Sequence, residues 1–181
     1  MIPMINSLPN LAFFKEIYEG YYQKIYHYVY SCLLNRQDAE DVTSEIFFAI
    51  WDNLDRYDQK RGKLSTWIGT IARHRVQDFW KKAYIGREIL TEEIPDCAVE
   101  PKYFHSENDS LKQSENIQLY LMFQQLSLKE RDFLELRYGL ELKNEEIAEL
   151  LGISRDAVRV RYDRLLKKCR QLLTAILSKK F

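Results

Sequence analysis

The chain has 181 residues, which allows one or two small domains, and its 46% apolar residues are ample for real cores. Its 27 basic and 27 acidic residues cancel in number but not in position. Three widely separated cysteines, Cys32, Cys97 and Cys169, support neither a disulfide framework nor a zinc knuckle. The N-terminus lacks a cationic segment followed by an apolar run, and no window is long and apolar enough for a span. A cytoplasmic protein without membrane insertion is expected.

Residues 11–34 place Phe14, Ile17, Tyr18, Tyr21, Ile25, Tyr28, Val29 and Cys32 at helical spacing. One long amphipathic helix follows, with Gly20 a mild weak point. Tyrosines at three- and four-residue steps read as core edge with wetted hydroxyls rather than a base-stacking platform. After a break at 35–37, residues 38–54 predict a second helix with Val42, Ile46, Ala49 and Ile50 inward and Asp38 as its N-cap. Residues 35–54 hold one base against five acids, a balance of −4. Asp38, Asp41 and Glu45 mark one face, either plain solvated surface or a dock for a basic partner helix.

The charged loop at 55–63 turns at Gly62, and Ser65 then caps a helix over 66–82 with Leu64, Ile68, Ile71, Ala72 and Phe79 inward. Thr66, Thr70, Arg73, His74, Gln77 and Lys81 share the opposite face, beside Lys60, Arg61 and Lys63. Residues 55–82 hold eight bases against three acids, +5, offering cations to phosphates and polar side chains to base edges. Beyond Tyr84 the periodicity fades, Pro95 and Pro101 appear, and residues 84–116 carry eight acids against three bases, −5. This stretch reads as a flexible acidic linker. Helix resumes over 111–126, and Ser127 to Glu130 has the capping-box pattern that opens a helix ending at Gly139.

Residues 144–170 organise the rest: two short helices meeting at a tight turn. Asn144 caps the first, Gly152 takes the left-handed backbone that ends it, and Ser154 caps the second. Ala148 lets the helices approach while Ile153 and Val158 fill the angle, the spacing of a helix-turn-helix. The exposed side of the second helix reads Arg155, Arg159, Asp163, Arg164 and Lys167. Residues 155–181 carry nine bases against two acids, +7, a density that DNA phosphates reward and whose guanidinium forks suit guanine edges. No strand pattern is visible, so the expected fold is all-α: an N-terminal helical bundle over 8–83, the linker over 84–112, and a helix-turn-helix domain over 113–178. His27, His74 and His105 lack evident metal or nucleophile partners and there is no glycine-rich phosphate loop, so neither an enzyme nor a cofactor is expected.

Three separated motifs, DAEDVTSEIF at 38–47, GKLSTWIGTIARHRVQDFWKK at 62–82, and RDFLELRY with EEIAELLGISRDAVRVRYDRLLKK at 131–138 and 145–168, together resemble a bacterial RNA polymerase sigma factor of the extracytoplasmic-function group. The resemblance covers nearly the whole chain except the linker. It implies that Asp38, Asp41 and Glu45 hold the polymerase β′ clamp helices and that the last domain meets the β flap. It also implies that Lys60, Arg61, Lys63, Arg73, His74 and Gln77 engage the minus-ten element and capture an unstacked base. Arg159, Val160, Asp163 and Arg164 would read minus-thirty-five base edges, with Arg155 and Lys167 toward phosphate. An anti-sigma protein is the further partner implied. The chain has His74 where the family often has asparagine. A helix-turn-helix regulator that binds duplex DNA without polymerase is the alternative reading.

Overall fold

The computed structural model describes residues 8–84 and 110–178, so most of the expected linker lies outside the described residues. Among them are seven helices and no strand: α1 (Leu8–Leu33), α2 (Arg36–Asn53), α3 (Leu64–Tyr84), α4 (Ser110–Gln124), α5 (Leu128–Tyr138), α6 (Asn144–Leu151) and α7 (Arg155–Ser178). A short 3-10 turn over Leu54–Arg56 follows α2. The all-α expectation holds.

In the N-terminal unit, Ile17, Ile25, Tyr28 and Val29 of α1 pack with Val42, Ile46 and Ile50 of α2 and with Ile68, Ala72 and Val76 of α3. The predicted α1 stripe departs at Tyr18, which is 43% exposed. Helix α1 ends at Leu33, and Leu34 beyond it is held at φ 54, a backbone that residues other than glycine rarely adopt. Its side chain is nevertheless buried.

Three caps differ from the sequence reading. Asn35, not Asp38, caps α2, its side chain accepting from the Asp38 N–H at 3.1 Å. Lys143, not Asn144, precedes α6, and its N–H donates to Glu146 Oε2 at 2.7 Å. Ser65 lies inside α3, and its hydroxyl donates to Glu146 at 3.0 Å. In each case an extended residue just upstream, or a long-range acceptor, competes with the local cap. The capping box of α5 forms as expected, with the Ser127 N–H donating to Glu130 at 2.9 Å.

The two helical units share one core. Helix α5 packs on α1 and α6 packs on α3, so that a Cβ at Gly69 would sit 3.3 Å from Leu142 Cδ1. Arg131 of α5 is 1% exposed. Its guanidinium donates to the carbonyls of Phe123 (2.7 Å), Leu126 (3.1 Å), Gln124 (3.4 Å) and, across the seam, Cys32 (3.4 Å).

The α6–α7 corner depends on Gly152 at φ 65. A Cβ there would meet nothing within 4 Å, so the cost of a side chain is backbone strain alone, about 1 to 2 kcal/mol. Gly152→Ala is expected to lower stability by about 1 kcal/mol in urea titrations while keeping the helical circular-dichroism spectrum. An unchanged midpoint would mean that the corner tolerates a different backbone.

Candidate nucleic-acid interface

Ser154 opens α7 by accepting from the Ala157 N–H at 3.1 Å, and Val158 and Tyr162 anchor the helix inward. Period 3.6 then turns Arg159, Val160, Asp163, Arg164 and Lys167 to solvent. Val160 is 42% exposed. Arg155 is exposed but paired with Glu145 at 2.5 Å. Two further bases of this basic stretch act inward: Arg161 lies 4.4 Å over the Phe133 ring, and Lys168 binds Glu130 at 2.8 Å. Burial would raise the Glu130 carboxyl, but hydrogen bonds from Lys168 and Ser127 outweigh it and hold it below the usual range. Among the described residues, the outward cations of α7 left without an ion pair are therefore Arg159, Arg164, Lys167 and Arg170.

In the N-terminal unit, Asp58 ties the loop by accepting from the N–H groups of Lys60 and Arg61, both at 2.9 Å. This loop, α3 and α6 enclose a cavity of about 270 Å³ lined by Arg56, Arg61, Lys63, Thr66, Trp67 and Thr70, with Glu149 opposite. Trp67 is held by Tyr57 at a centroid distance of 5.2 Å. The six residues that the resemblance assigns to the minus-ten element do not lie together. Lys60 and Arg61 stand free at the loop tip. Lys63 and Arg73 turn to the C-terminal unit, pairing with Glu146 (3.3 Å) and Asp132 (2.9 Å). Gln77, with its amide in the hydrogen-bonding orientation, accepts from Arg73 at 3.0 Å. His74 is exposed beside a separate cavity shared with Arg56, Trp67, Arg75 and Asp78. Thr66, expected on the open face, is buried.

The acidic face of α2 is open. Asp41 and Glu45 are exposed and make no ion pair among the described residues. Burial and the Asp41 charge raise the Asp38 carboxyl from its ordinary value. Beside these acids lies an apolar groove that the sequence reading missed, about 410 Å³ and lined by Leu11, Phe14, Tyr18, Ser44, Phe47, Phe48 and Trp51. Phe48 is 70% exposed. The signal is the Phe47–Phe48 pair: the inward stripe set by Val42, Ile46 and Ile50 leaves Phe48 outside it, a bulky aromatic on the solvent side.

Also missed was the charged seam on α5. Asp132 accepts from the Tyr28 hydroxyl at 2.7 Å as well as from Arg73. Burial raises the Tyr28 hydroxyl well above its ordinary value, which keeps it a donor. Glu135 is pushed up to about 7 by burial, against the lowering effect of a hydrogen bond from the Ser31 hydroxyl.

A helix-turn-helix with a basic helix and a second, cationic loop-and-helix surface give this all-α protein two separate places that offer cations to a polyanion. The family described as Sigma-70 region 2 matches residues 17–84, and that described as Sigma-70, region 4 matches residues 116–169. The chain is similar to the ECF RNA polymerase sigma factor SigW of Bacillus subtilis, 33% identical over 162 residues, covering 83% of each. It is also similar to the ECF sigma factor BldN of Streptomyces coelicolor, 26% identical over 161 residues, covering 88% of this chain and 60% of BldN. Two solved structures share the fold with a TM-score of 0.65 and 19% identity. One is CnrH in complex with the cytosolic domain of CnrY, covering 91% of this chain and 90% of that one. The other is RpoE in complex with the anti-sigma factor NepR from Bartonella quintana, covering 89% and 96%. The chain belongs to the sigma-70 family of RNA polymerase sigma factors, in its extracytoplasmic-function group, whose members are initiation factors and not enzymes.

The raised Glu135 carboxyl makes a pH prediction. The folded protein holds this proton more tightly than the unfolded chain, so the contribution is most favourable below the ordinary value of 4.5 and is lost as pH rises through about 7. Glu135→Gln removes that loss. The stability advantage of the variant over wild type is expected to widen by about 2 to 3 kcal/mol between pH 5 and pH 8 in urea titrations. A gap independent of pH would show that the carboxyl is solvated.

Proposed function

We propose that this protein binds core RNA polymerase and directs promoter-specific initiation, reading the minus-ten and minus-thirty-five elements with separate domains. The domain over 8–83 carries the polymerase and minus-ten surfaces, residues 84–112 form the linker, and the domain over 113–178 reads the minus-thirty-five duplex and meets the β flap. The observation that carries this reading is the outward ridge of Arg159, Val160, Asp163, Arg164 and Lys167 on a helix aimed by the left-handed Gly152 corner. Arg159, Val160, Asp163 and Arg164 are the base readers, and Arg155 and Lys167 face phosphate.

The cavity between the loop and α3 suits one planar base taken out of its stack, with Lys60, Arg61, Lys63 and Arg73 nearby for phosphate and His74 and Gln77 for polar contact. Holding a displaced strand shifts the duplex toward melting, because stacking lost in the DNA is replaced on the protein. Open Asp38, Asp41 and Glu45 beside the exposed Phe48 groove fit a basic amphipathic helix, which supports docking on the β′ clamp helices. Structural neighbours solved with inhibitory or cytosolic protein partners support an anti-sigma factor as regulator. The site of action is the cytoplasm, with the polymerase.

Run-off transcription with sigma-free core enzyme on a randomised promoter library tests the whole reading: start sites sharing two spaced elements are expected, and unselected initiation would refute it. Arg159→Ala is expected to lose about 1 to 3 kcal/mol of promoter discrimination, confined to templates with an intact minus-thirty-five element. Equal loss on templates with that element scrambled would argue against base reading. Charge reversal at Asp41 and Glu45 is expected to weaken core binding at least tenfold with the thermal unfolding curve unchanged. Undiminished co-elution with core would leave these acids as solvated surface.

A further inference from the structure

The basic ridge of α7 contains one residue that attraction for phosphate does not account for. Residues 155–181 carry nine bases and two acids, Asp156 and Asp163. Asp156 lies in the first turn of α7, where free backbone N–H groups and the helix dipole favour a carboxylate. Asp163 lies about two turns further on, beyond that field. It is exposed, on the same side as Arg159, Arg164 and Lys167. Arg159 and Lys167 stand four residues to either side, the spacing at which a helix forms surface ion pairs. Yet among the described residues Asp163 makes no ion pair with either, while Arg155 and Lys168 pair with acids of neighbouring helices, Glu145 and Glu130.

A free carboxylate on a surface that meets a polyanion repels every phosphate it approaches and weakens binding to all sequences alike. Only a donor offsets that cost. In the major groove, cytosine offers its N4 amino group and adenine its N6 amino group, while guanine and thymine present acceptors. Adenine also carries the N7 acceptor beside its amino group, a pair that suits an amide and repels a carboxylate. Cytosine has no acceptor of its own beside N4. We propose that Asp163 is a specificity-determining residue that selects cytosine in the duplex element read by α7, as much by rejecting other bases as by bonding this one. The identity of the duplex rests on the promoter reading given above. Val160, 42% exposed and three residues before Asp163, lies on the same side of the helix and excludes water beside the carboxylate once α7 is in the groove. Guanine, thymine or adenine in that place then leaves a desolvated charge against an acceptor, which costs more than one lost hydrogen bond. Arg159 and Asp163 are about 6 Å apart along the helix axis and bases about 3.4 Å apart. The cytosine therefore lies about two base pairs from the base that Arg159 reads, for which guanine is the match.

The test uses the full chain and one DNA library in which only the upstream element is randomised, in two formats. It serves as template for run-off transcription with sigma-free core enzyme, and as a duplex pool selected by the chain alone at low salt. Wild type, Asp163→Asn, Asp163→Ala and, as a charge control on α1, Glu16→Gln are compared by sequencing. Wild type is expected to enrich cytosine about tenfold at one position. Asp163→Asn moves that preference to adenine, whose N6 and N7 an amide bonds together, and Asp163→Ala abolishes it, with the other positions unchanged. Both Asp163 variants bind random-sequence duplex more tightly than wild type, and Glu16→Gln alters neither readout. Absence of a cytosine preference in wild type, one base profile shared by all four proteins, or weaker random-sequence binding without the carboxylate would each overturn the proposal. Selected start sites without that preference overturn the role of Asp163 and leave the promoter reading standing. Failure to initiate, with the duplex pool still sorted for cytosine by the chain alone, overturns the promoter reading and leaves the role of Asp163 standing.

Discussion

Helix α5 of the C-terminal unit packs against α1 of the N-terminal one, and its charged residues meet partners on both sides. Arg131 lies in the interior with carbonyls from Phe123, Gln124, Leu126 and Cys32 around its guanidinium. A desolvated cation is tolerated only where its donors are satisfied in fixed geometry, so Arg131 fixes the turn after α4 and the end of α1 in one place. Its neighbour Asp132 takes Tyr28 and Arg73. On the other face, the Tyr162 hydroxyl donates to the Phe133 carbonyl at 2.5 Å, which ties α7 to the same helix. Every surface discussed above is positioned relative to this helix.

The vanishing net charge takes on meaning from that seam. Residues 128–151 carry seven acids against four bases, and the loop and α3 opposite them are basic. Opposed blocks that are adjacent in space attract each other. Part of the basic surface of the loop and α3 is thereby paired with acids of α5 and α6, Arg73 with Asp132 and Lys63 with Glu146. The exposed Phe48 groove and the α7 ridge stay outside this self-pairing.

Local strain sits at the corners. Leu34, Glu141 and Gly152 all adopt positive φ, at the ends of α1, before α6 and between α6 and α7. The two that are not glycine are held by tertiary contacts, Leu34 by burial and Glu141 by the ion pair with Lys24.

Helix existence, the left-handed Gly152 corner, the Ser127 capping box and the outward Arg159–Arg164–Lys167 ridge were all legible in the chain, because period 3.6 and cap chemistry act within a turn or two of sequence. Region-level family membership was legible for the same reason, from motifs of contiguous residues. The burial of Thr66, the pairing of Arg73 and Lys63 with acids of the other unit, and the groove floored by Phe47 and Phe48 were not. Each depends on which distant group arrives. Asp132 lies 59 residues from Arg73 and Glu146 lies 81 from Ser65, and no local pattern encodes a contact across that separation. An acid on an amphipathic helix looks solvated until another helix is laid against it. Only the packing of α5 and α6 onto α1 and α3 turned those acids into partners for the N-terminal cations.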